Sequence, residues 1–160
     1  MSVISPGRFT AAHTGPVVVF IIGFRINRFW QFGKWLPVAR AMSPMIAELS
    51  ANPASGFLGA EPMLRNLRTI ALLQYWRDFD SLETYARDRD RRHWPAWTAF
   101  NKAVGSDGSV GIFHETYCVD GGRHETIYAN MPPFGLGMVT GTTPATGSRN
   151  EARSRMQGGD

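Results

Sequence analysis

The sequence has little cysteine, little lysine and no long apolar run. Its single cysteine, Cys118, excludes an intrachain disulfide and any zinc or iron–sulfur site built from several thiolates. The longest apolar run, from Val17 to Phe24, is eight residues long, whereas a helix that spans a bilayer needs about 20. The first ten residues lack a charged start followed by an apolar core, so no secretory signal is expected. These absences favour a soluble, cytoplasmic protein.

Positively charged residues are in modest excess over negatively charged ones. Lys and Arg number 17 against 13 Asp and Glu, a formal net charge of +4. A basic balance raises the possibility of nucleic acid as a partner, but the arginines are spread along the chain. The one dense run, residues 87–92, contains two aspartates and is typical of a solvated helix face with local ion pairs. Nucleic acid is therefore not expected as a partner, and the lack of a spanning run makes a membrane unexpected as well.

Three apolar segments predict strands, namely residues 17–26, 69–76 and 110–119. The first two show no strict alternation of apolar and polar residues, which is the pattern of a strand covered on both faces. A short strand is expected at 57–60. A partner strand for 110–119 is expected at 124–129, after the turn signal of Gly121 and Gly122.

Two helical stretches separate these strands. Apolar residues from Trp35 to Leu49 recur at helical spacing, and Pro44 makes this either one kinked helix or a lead-in turn followed by a second helix. Asp80, with Glu83 three residues later, fits a helix start. That helix should run to His93, where Pro95 kinks or restarts it.

This order is β-α-β-β-α-β, the pattern of an α+β ferredoxin-like sandwich, with an added C-terminal strand. Helices cover one sheet face only, so the apolar strands call for cover on the other. A second copy of the sheet would supply it and form a dimeric α+β barrel. The alternative is a monomer whose added strand and loop 131–137 cover that face. The folded domain is expected to span 1–138, with a disordered tail at 139–160.

Several sequence blocks resemble a known family. The blocks are VVVFIIGFRINRFW, HWPAWTAFN, HETY and NMPPFGLG, and the likeness runs over about residues 5–138. The family is one of short bacterial and fungal monooxygenase-like proteins, formerly a domain of unknown function, in the dimeric α+β-barrel superfamily. That superfamily includes cofactor-independent monooxygenases, haem-degrading oxygenases and haem-containing aldoxime dehydratases. The resemblance implies this fold, a homodimer, and either no cofactor or haem.

The candidate catalytic residues are His93, Glu115 and Asn101. His93 lies where the resemblance implies an axial haem ligand, and otherwise it is a base or a packed histidine. Glu115 is a proton acceptor if it faces a dry pocket, and otherwise it pairs with Arg68 or Arg77. Strand alternation sends Glu115 and His114 to opposite faces. Asn101 could donate to a substrate oxygen or lie on the helix surface.

Aromatic and imidazole side chains supply the candidate cavity lining, which consists of Trp97, Phe100, Tyr75 and His114. Three functions follow. The first is a monooxygenase-like enzyme that acts on an apolar small molecule in the barrel cavity. The second is a haem enzyme of the same fold, an oxygenase or an aldoxime dehydratase-like lyase, with His93 or His114 as axial ligand. The third is a binding module without catalysis.

Overall fold

A computed structural model describes residues 3–90 and 93–156, with the side chains of residues 93, 96, 97 and 103 left undescribed. The strands are β1 (Ser5–Ala11), β2 (Val17–Ile26), β3 (Phe57–Asn66), β4 (Thr69–Trp76), β5 (Val110–Val119), β6 (Tyr128–Met131) and β7 (Thr142–Pro144). The helices are α1 (Phe32–Ser50), α2 (Phe79–Arg87), α3 (His93–Ala103), α4 (Gly135–Thr140) and α5 (Ala152–Met156).

Strands β2 to β5 form one antiparallel sheet in the order β3-β4-β2-β5. With α1 after the first of these strands and α2 and α3 before the last, this is the ferredoxin-like α+β topology. The predicted fold class is therefore confirmed for the single chain.

The helices pack on one face of this sheet. Val18, Phe24 and Trp76 point into that layer, and Trp76 is completely buried against Phe57 at a ring-centroid distance of 5.3 Å. Its indole nitrogen donates to the side-chain oxygen of Gln74 at 3.0 Å, which satisfies the polar atom of an otherwise apolar layer. We call the opposite side of the four-stranded sheet the open face.

Prolines lie inside one helix and one strand, although proline usually interrupts both. Helix α1 is continuous from Phe32 to Ser50 with Pro37 and Pro44 inside it, so the alternative of a single helix is the one realised. Strand β3 continues beyond Ala60, through Pro62, to Asn66. Proline is tolerated there because β3 is an edge strand, where a missing N–H costs no ladder bond.

Unlike the first helical stretch, the second one, which the sequence predicts from Asp80, is divided. It forms α2 and α3 rather than one helix running to His93. Helix α2 begins earlier than predicted, because Asp78 rather than Asp80 is the N-cap, and its side chain accepts from the Ser81 N–H at 2.7 Å.

The termini build a second sheet that the sequence did not predict. Strand β1 pairs antiparallel with β6 on one side and with β7 on the other. The expected strand at 124–129 is therefore wrong both in position and in partner, since β6 pairs with β1 and not with β5. The pairing partner lies more than 100 residues away, and local patterns do not encode it.

The expected disordered tail is likewise not what the structure shows. Residues 139–156 contain the end of α4, then β7 and α5, and Ala145 is buried. Arg155 ties this segment to the domain through Glu125, with its guanidinium 2.7 Å from the carboxylate. No helix in the described ranges is long and apolar enough to cross a membrane.

Candidate functional site

The open face is built from alternate residues of the four strands. Paired residues across an antiparallel sheet share a face, so the strand register identifies each row. One row consists of Gly59, Tyr75, Val19 and Tyr117; the next of Glu61, Leu73, Ile21 and Glu115; and the third of Met63, Ala71, Gly23 and Phe113.

The chain itself covers one end of this face. Tyr75 and Val17 are buried there with Tyr128 and Leu136, under the second sheet and α4. The sequence alternative in which the C-terminal loop covers the face is therefore realised at this end. Leu73, in the row that contains Glu115, still packs against this cluster, whereas Ile21 and the row that contains Phe113 are not part of it.

Two tyrosine hydroxyls hold the covering helix in place. Tyr128 accepts from the Gly137 N–H at 2.9 Å, and the Tyr75 hydroxyl hydrogen-bonds the backbone of Leu136. Burial raises the pKa of Tyr75, and the neighbouring Tyr128 adds to this effect. Tyr75 thus stays protonated at neutral pH and is a fixed part of the contact between the open face and α4.

The part of the face beyond this cover has an apolar floor. A Cβ on Gly23 would lie 2.6 Å from Cζ of Phe113 and 3.0 Å from Cα of Ala71. The Phe113 ring therefore rests directly on the backbone of the neighbouring strand, at a place where only glycine leaves room. Ile21 and Leu73, both half-buried, continue this floor.

A carboxylate stands at the edge of that floor. Glu115 lies on edge strand β5, two residues from Phe113, and accepts a hydrogen bond from the Tyr117 hydroxyl at 2.5 Å. This contact raises the pKa of Tyr117, because an ionised phenol would face the Glu115 carboxylate. Tyr117 consequently remains a donor at neutral pH and fixes the orientation of Glu115. The predicted ion pair with Arg68 or Arg77 is wrong.

Both of those arginines are occupied elsewhere. Arg77 donates to Asp78 at 2.7 Å and to Ser81 at 2.9 Å. Arg68 donates to the Asn27 carbonyl and lies over the Phe29 ring at 4.6 Å.

The sheet separates the residues that the sequence grouped as one site. Glu115 and Tyr75 lie on the open face. His114 is on the helix side, where its exposed ring lies 5.7 Å from that of Phe20. Phe100 packs in the core between α3 and the sheet, and Asn101 is exposed on α3. The side chains of His93 and Trp97 lie outside the described residues.

Sequence reasoning missed Tyr117 and Phe113 as site residues. The signal for both was present, because strand alternation puts Phe113, Glu115 and Tyr117 on one side. Glu61 shares a row with Glu115 through three strand pairings, which places it about 14 Å away at the usual strand spacing. No local pattern reveals that relation.

A second, polar cavity of about 60 Å³ lies between β1, residues 124–126 and the C-terminal segment. The imidazoles of His13 and His124 stack there with centroids 5.8 Å apart. Each ring bonds a backbone carbonyl through Nε2, His13 to Pro16 at 3.0 Å and His124 to Gly15 at 2.9 Å. These contacts connect the β1–β2 loop to the C-terminal half. Among the described residues no group of three or more His, Cys, Asp or Glu is placed to hold a metal ion.

Comparison with known proteins gives a family match over the sheet domain. A family model described as monooxygenase af470-like matches residues 17–136. Monooxygenase af470 of Aspergillus fumigatus is 30% identical over 135 residues, which cover 77% of this chain and 46% of that protein. The chain thus spans about half the length of the curated relative that it matches.

Two solved structures are similar to this chain to different degrees. Aldoxime dehydratase OxdRE, crystallised with butyraldoxime, superposes with a TM-score of 0.61 at 19% identity and covers 96% of this chain and 44% of that one. SnoaB, a cofactor-independent oxygenase from Streptomyces nogalater, gives a TM-score of 0.46 at 14% identity over 63% of this chain and 90% of that one.

Proposed function

Because the chain belongs to the monooxygenase af470-like family, we propose that it is an oxygenase-like enzyme that oxidises an apolar small molecule on the open face. The observation that carries this proposal is the Glu115 carboxylate, oriented by Tyr117 and placed beside the Phe113 ring on an apolar floor. A base next to a flat hydrophobic surface suits a planar, electron-rich carbon acid.

Glu115 is the proposed base. Its carboxylate removes a proton from an acidic C–H of the substrate, and the carbanion passes one electron to O2. The substrate radical and superoxide then combine to a peroxide anion, which takes the proton back from Glu115, and the resulting hydroperoxide loses water to leave a carbonyl. One C–H₂ group and one O2 thus become one C=O and one H2O. Tyr117 acts as a positioning residue, because its hydroxyl holds the carboxylate toward the floor.

We propose that a second copy of the chain covers this site, and we call that covering copy the roof. Ile21 and the row that contains Phe113 carry apolar side chains that are not among those packed against the cluster under α4 and the second sheet. An apolar floor in contact with water offers no driving force to orient a substrate, and a carboxylate in water is a weak base. Pairing two open faces removes both problems at once and leaves a closed chamber.

The described side chains place no histidine on the open face to hold haem, and the side chain of His93, the candidate axial ligand, lies outside the described residues. His13, His114 and His124 are the histidines whose side chains are described, and none lies on that face. His114 is on the helix side, and the other two bond backbone carbonyls beside the second cavity. We therefore derive no step through haem.

Oxygen uptake tests the proposal with dithranol, an apolar tricyclic carbon acid, as the probe substrate. Wild-type protein should accelerate uptake above the buffer rate. Glu115→Gln keeps the shape of the side chain but removes the base, and should lower kcat by about 100-fold or more. Tyr117→Phe frees the carboxylate and should lower kcat by about tenfold at unchanged folding.

Glu61→Gln is the matched control, since it removes a carboxylate from the same row at the opposite sheet edge. Its rate should remain within about twofold of wild type. A full loss in Glu61→Gln with full activity in Glu115→Gln would reverse the assignment of the base. Tight probe binding without any uptake would make the protein a binding module instead.

A further inference from the structure

One end of the four-stranded sheet gathers three segments, which we call the basic end: residues 25–35, 64–69 and 104–110. Backbone contacts hold them together. The Ile26 N–H donates to the Arg68 carbonyl at 2.7 Å, and the Asn27 N–H donates to the Ser109 carbonyl at 3.0 Å. Arg68 also donates to the Asn27 carbonyl at 3.2 Å. The basic end is therefore one connected surface and not three separate loops.

Large apolar side chains protrude from this surface. Leu67, at the turn between β3 and β4, is 82% exposed, and Trp30, in the loop before α1, is 72% exposed. Phe32 and Leu64 are also exposed. Their neighbours Phe29 and Trp35 pack into the core, so the loop is ordered while Trp30 points outward. Clustered exposed apolar groups mark an interaction surface.

The charge of this surface is mainly positive. It carries five cationic side chains and a single carboxylate, Asp107, which Lys34 pairs. The excess equals the formal net charge of the whole chain, +4, so the rest of the molecule is balanced. The cations are Arg25, Arg28, Lys34, Arg65 and Arg68.

We propose that the basic end docks on the surface of a bilayer that contains anionic lipids. Tryptophan and leucine at loop tips enter the headgroup region, while arginines beside them bind lipid phosphates. A nucleic acid would engage the arginines but would leave Leu67 and Leu64 in contact with charge. A second copy of the same end would bring like charges together.

This proposal departs from the expectation that no membrane is a partner, which rested on the absence of a spanning segment. It does not depend on the proposed oxygenase chemistry. None of the residues of the basic end belongs to the row that contains Glu115 or to the row that contains Phe113. Some of them lie on the same strands, but at the end of the sheet.

Vesicle flotation tests the proposal with the full chain. Vesicles of three parts phosphatidylcholine to one part phosphatidylglycerol should carry the protein to the top of the gradient, and pure phosphatidylcholine vesicles should not. Raising salt from about 0.1 M to about 0.5 M should release it, because the attraction is screened. Equal flotation with both vesicle types would contradict the charge argument.

Two double variants separate the apolar and the cationic contributions. Trp30→Ser with Leu67→Ser should weaken partitioning by about tenfold or more. Arg28→Gln with Arg65→Gln should weaken it by about fivefold for each arginine. All four side chains are exposed, so the fold is retained, which a thermal melt of each variant checks.

The controls change the same residue types away from the basic end. Phe79→Ser, at the start of α2, removes an exposed aromatic ring, and Arg123→Gln with Arg153→Gln removes two exposed cations. These variants should float like wild type. Losses as large in the controls as in the test variants would overturn the proposal, as would binding to random-sequence DNA without flotation on anionic vesicles.

Discussion

Gly135 shows how one residue position determines the cover of the open face. Its φ of +53° is in the left-handed region, and a Cβ there would lie 2.7 Å from the Tyr75 hydroxyl. Gly137 is similarly confined, since a Cβ would lie 2.5 Å from the Tyr128 ring. The glycines of the block NMPPFGLG therefore let α4 approach the two tyrosines.

Gly135→Ala should lower the free energy of unfolding by about 2 kcal/mol, because the left-handed backbone and the displaced hydroxyl both oppose a methyl group. Urea denaturation measures this difference. Gly33→Ala is the control, because a Cβ there meets nothing within 4 Å, and it should cost nothing. Equal midpoints for the two variants would mean that α4 does not rest on Tyr75.

At the site, the residue types were easier to predict than their grouping. Glu115 was identifiable as a polar residue within an apolar strand, and alternation gave its separation from His114. Its partner Tyr117 was not identified, because a hydrogen bond between alternate residues of one strand depends on rotamers. Asn101 and His114 fell on the other side of the sheet, a relation that depends on which face the helices cover.

At the scale of elements, the cap of α2 is the clearest departure from the sequence pattern. Both Asp78 and Asp80 are suitable residues, and the pattern with Glu83 favours Asp80. Asp78 is the cap because its side chain can reach both the Ser81 N–H and the Arg77 guanidinium. The hydrogen bond from Arg77, followed by those from Ser81, lowers the pKa of Asp78 to about 2.

Asp78→Ala should therefore cost about 1 kcal/mol of unfolding free energy at neutral pH, and Asp80→Ala only a few tenths. Asp78→Asn should retain most of the cap. The folded-state pKa of Asp78 is below its unfolded value, so its charge-dependent contribution exists above about pH 4 and is lost as the pH falls toward 2.

Urea midpoints of the three variants and wild type between pH 7 and about pH 2 provide the measurement. The gap between wild type and Asp78→Asn should narrow as the pH falls. A larger loss in Asp80→Ala than in Asp78→Ala would restore the sequence-based assignment of the cap.

Long, strongly patterned elements were predictable, and distant pairings were not. The apolar runs of β2, β4 and β5 identified those strands, because burial on both faces leaves a continuous pattern. β1, β6 and β7 are short and polar, and they form only because residues from both ends of the chain meet. The folded conformation of residues 139–156 likewise involves a contact between distant residues, because Arg155 donates to the Glu125 carboxylate.

On the scale of the whole molecule, folding changes the meaning of the charge distribution. Arg25, Arg28, Arg65 and Arg68 are spread over more than 40 positions of sequence, yet the strand order brings them to one end. Scattered arginines therefore do not imply a uniform surface. The same strand order puts Glu115 on a face where the described residues provide an apolar floor but leave the side chains beside Glu115 without cover.

The proposed roof is the central claim of this account, and sedimentation equilibrium at tens of micromolar tests it most directly. A second copy on the open face predicts a particle of twice the 17.8 kDa chain mass. Ile21→Asp, which puts a charge in the middle of the uncovered floor, should return the mass to that of one chain. A wild-type protein that sediments as a single chain of 17.8 kDa would contradict the closed chamber.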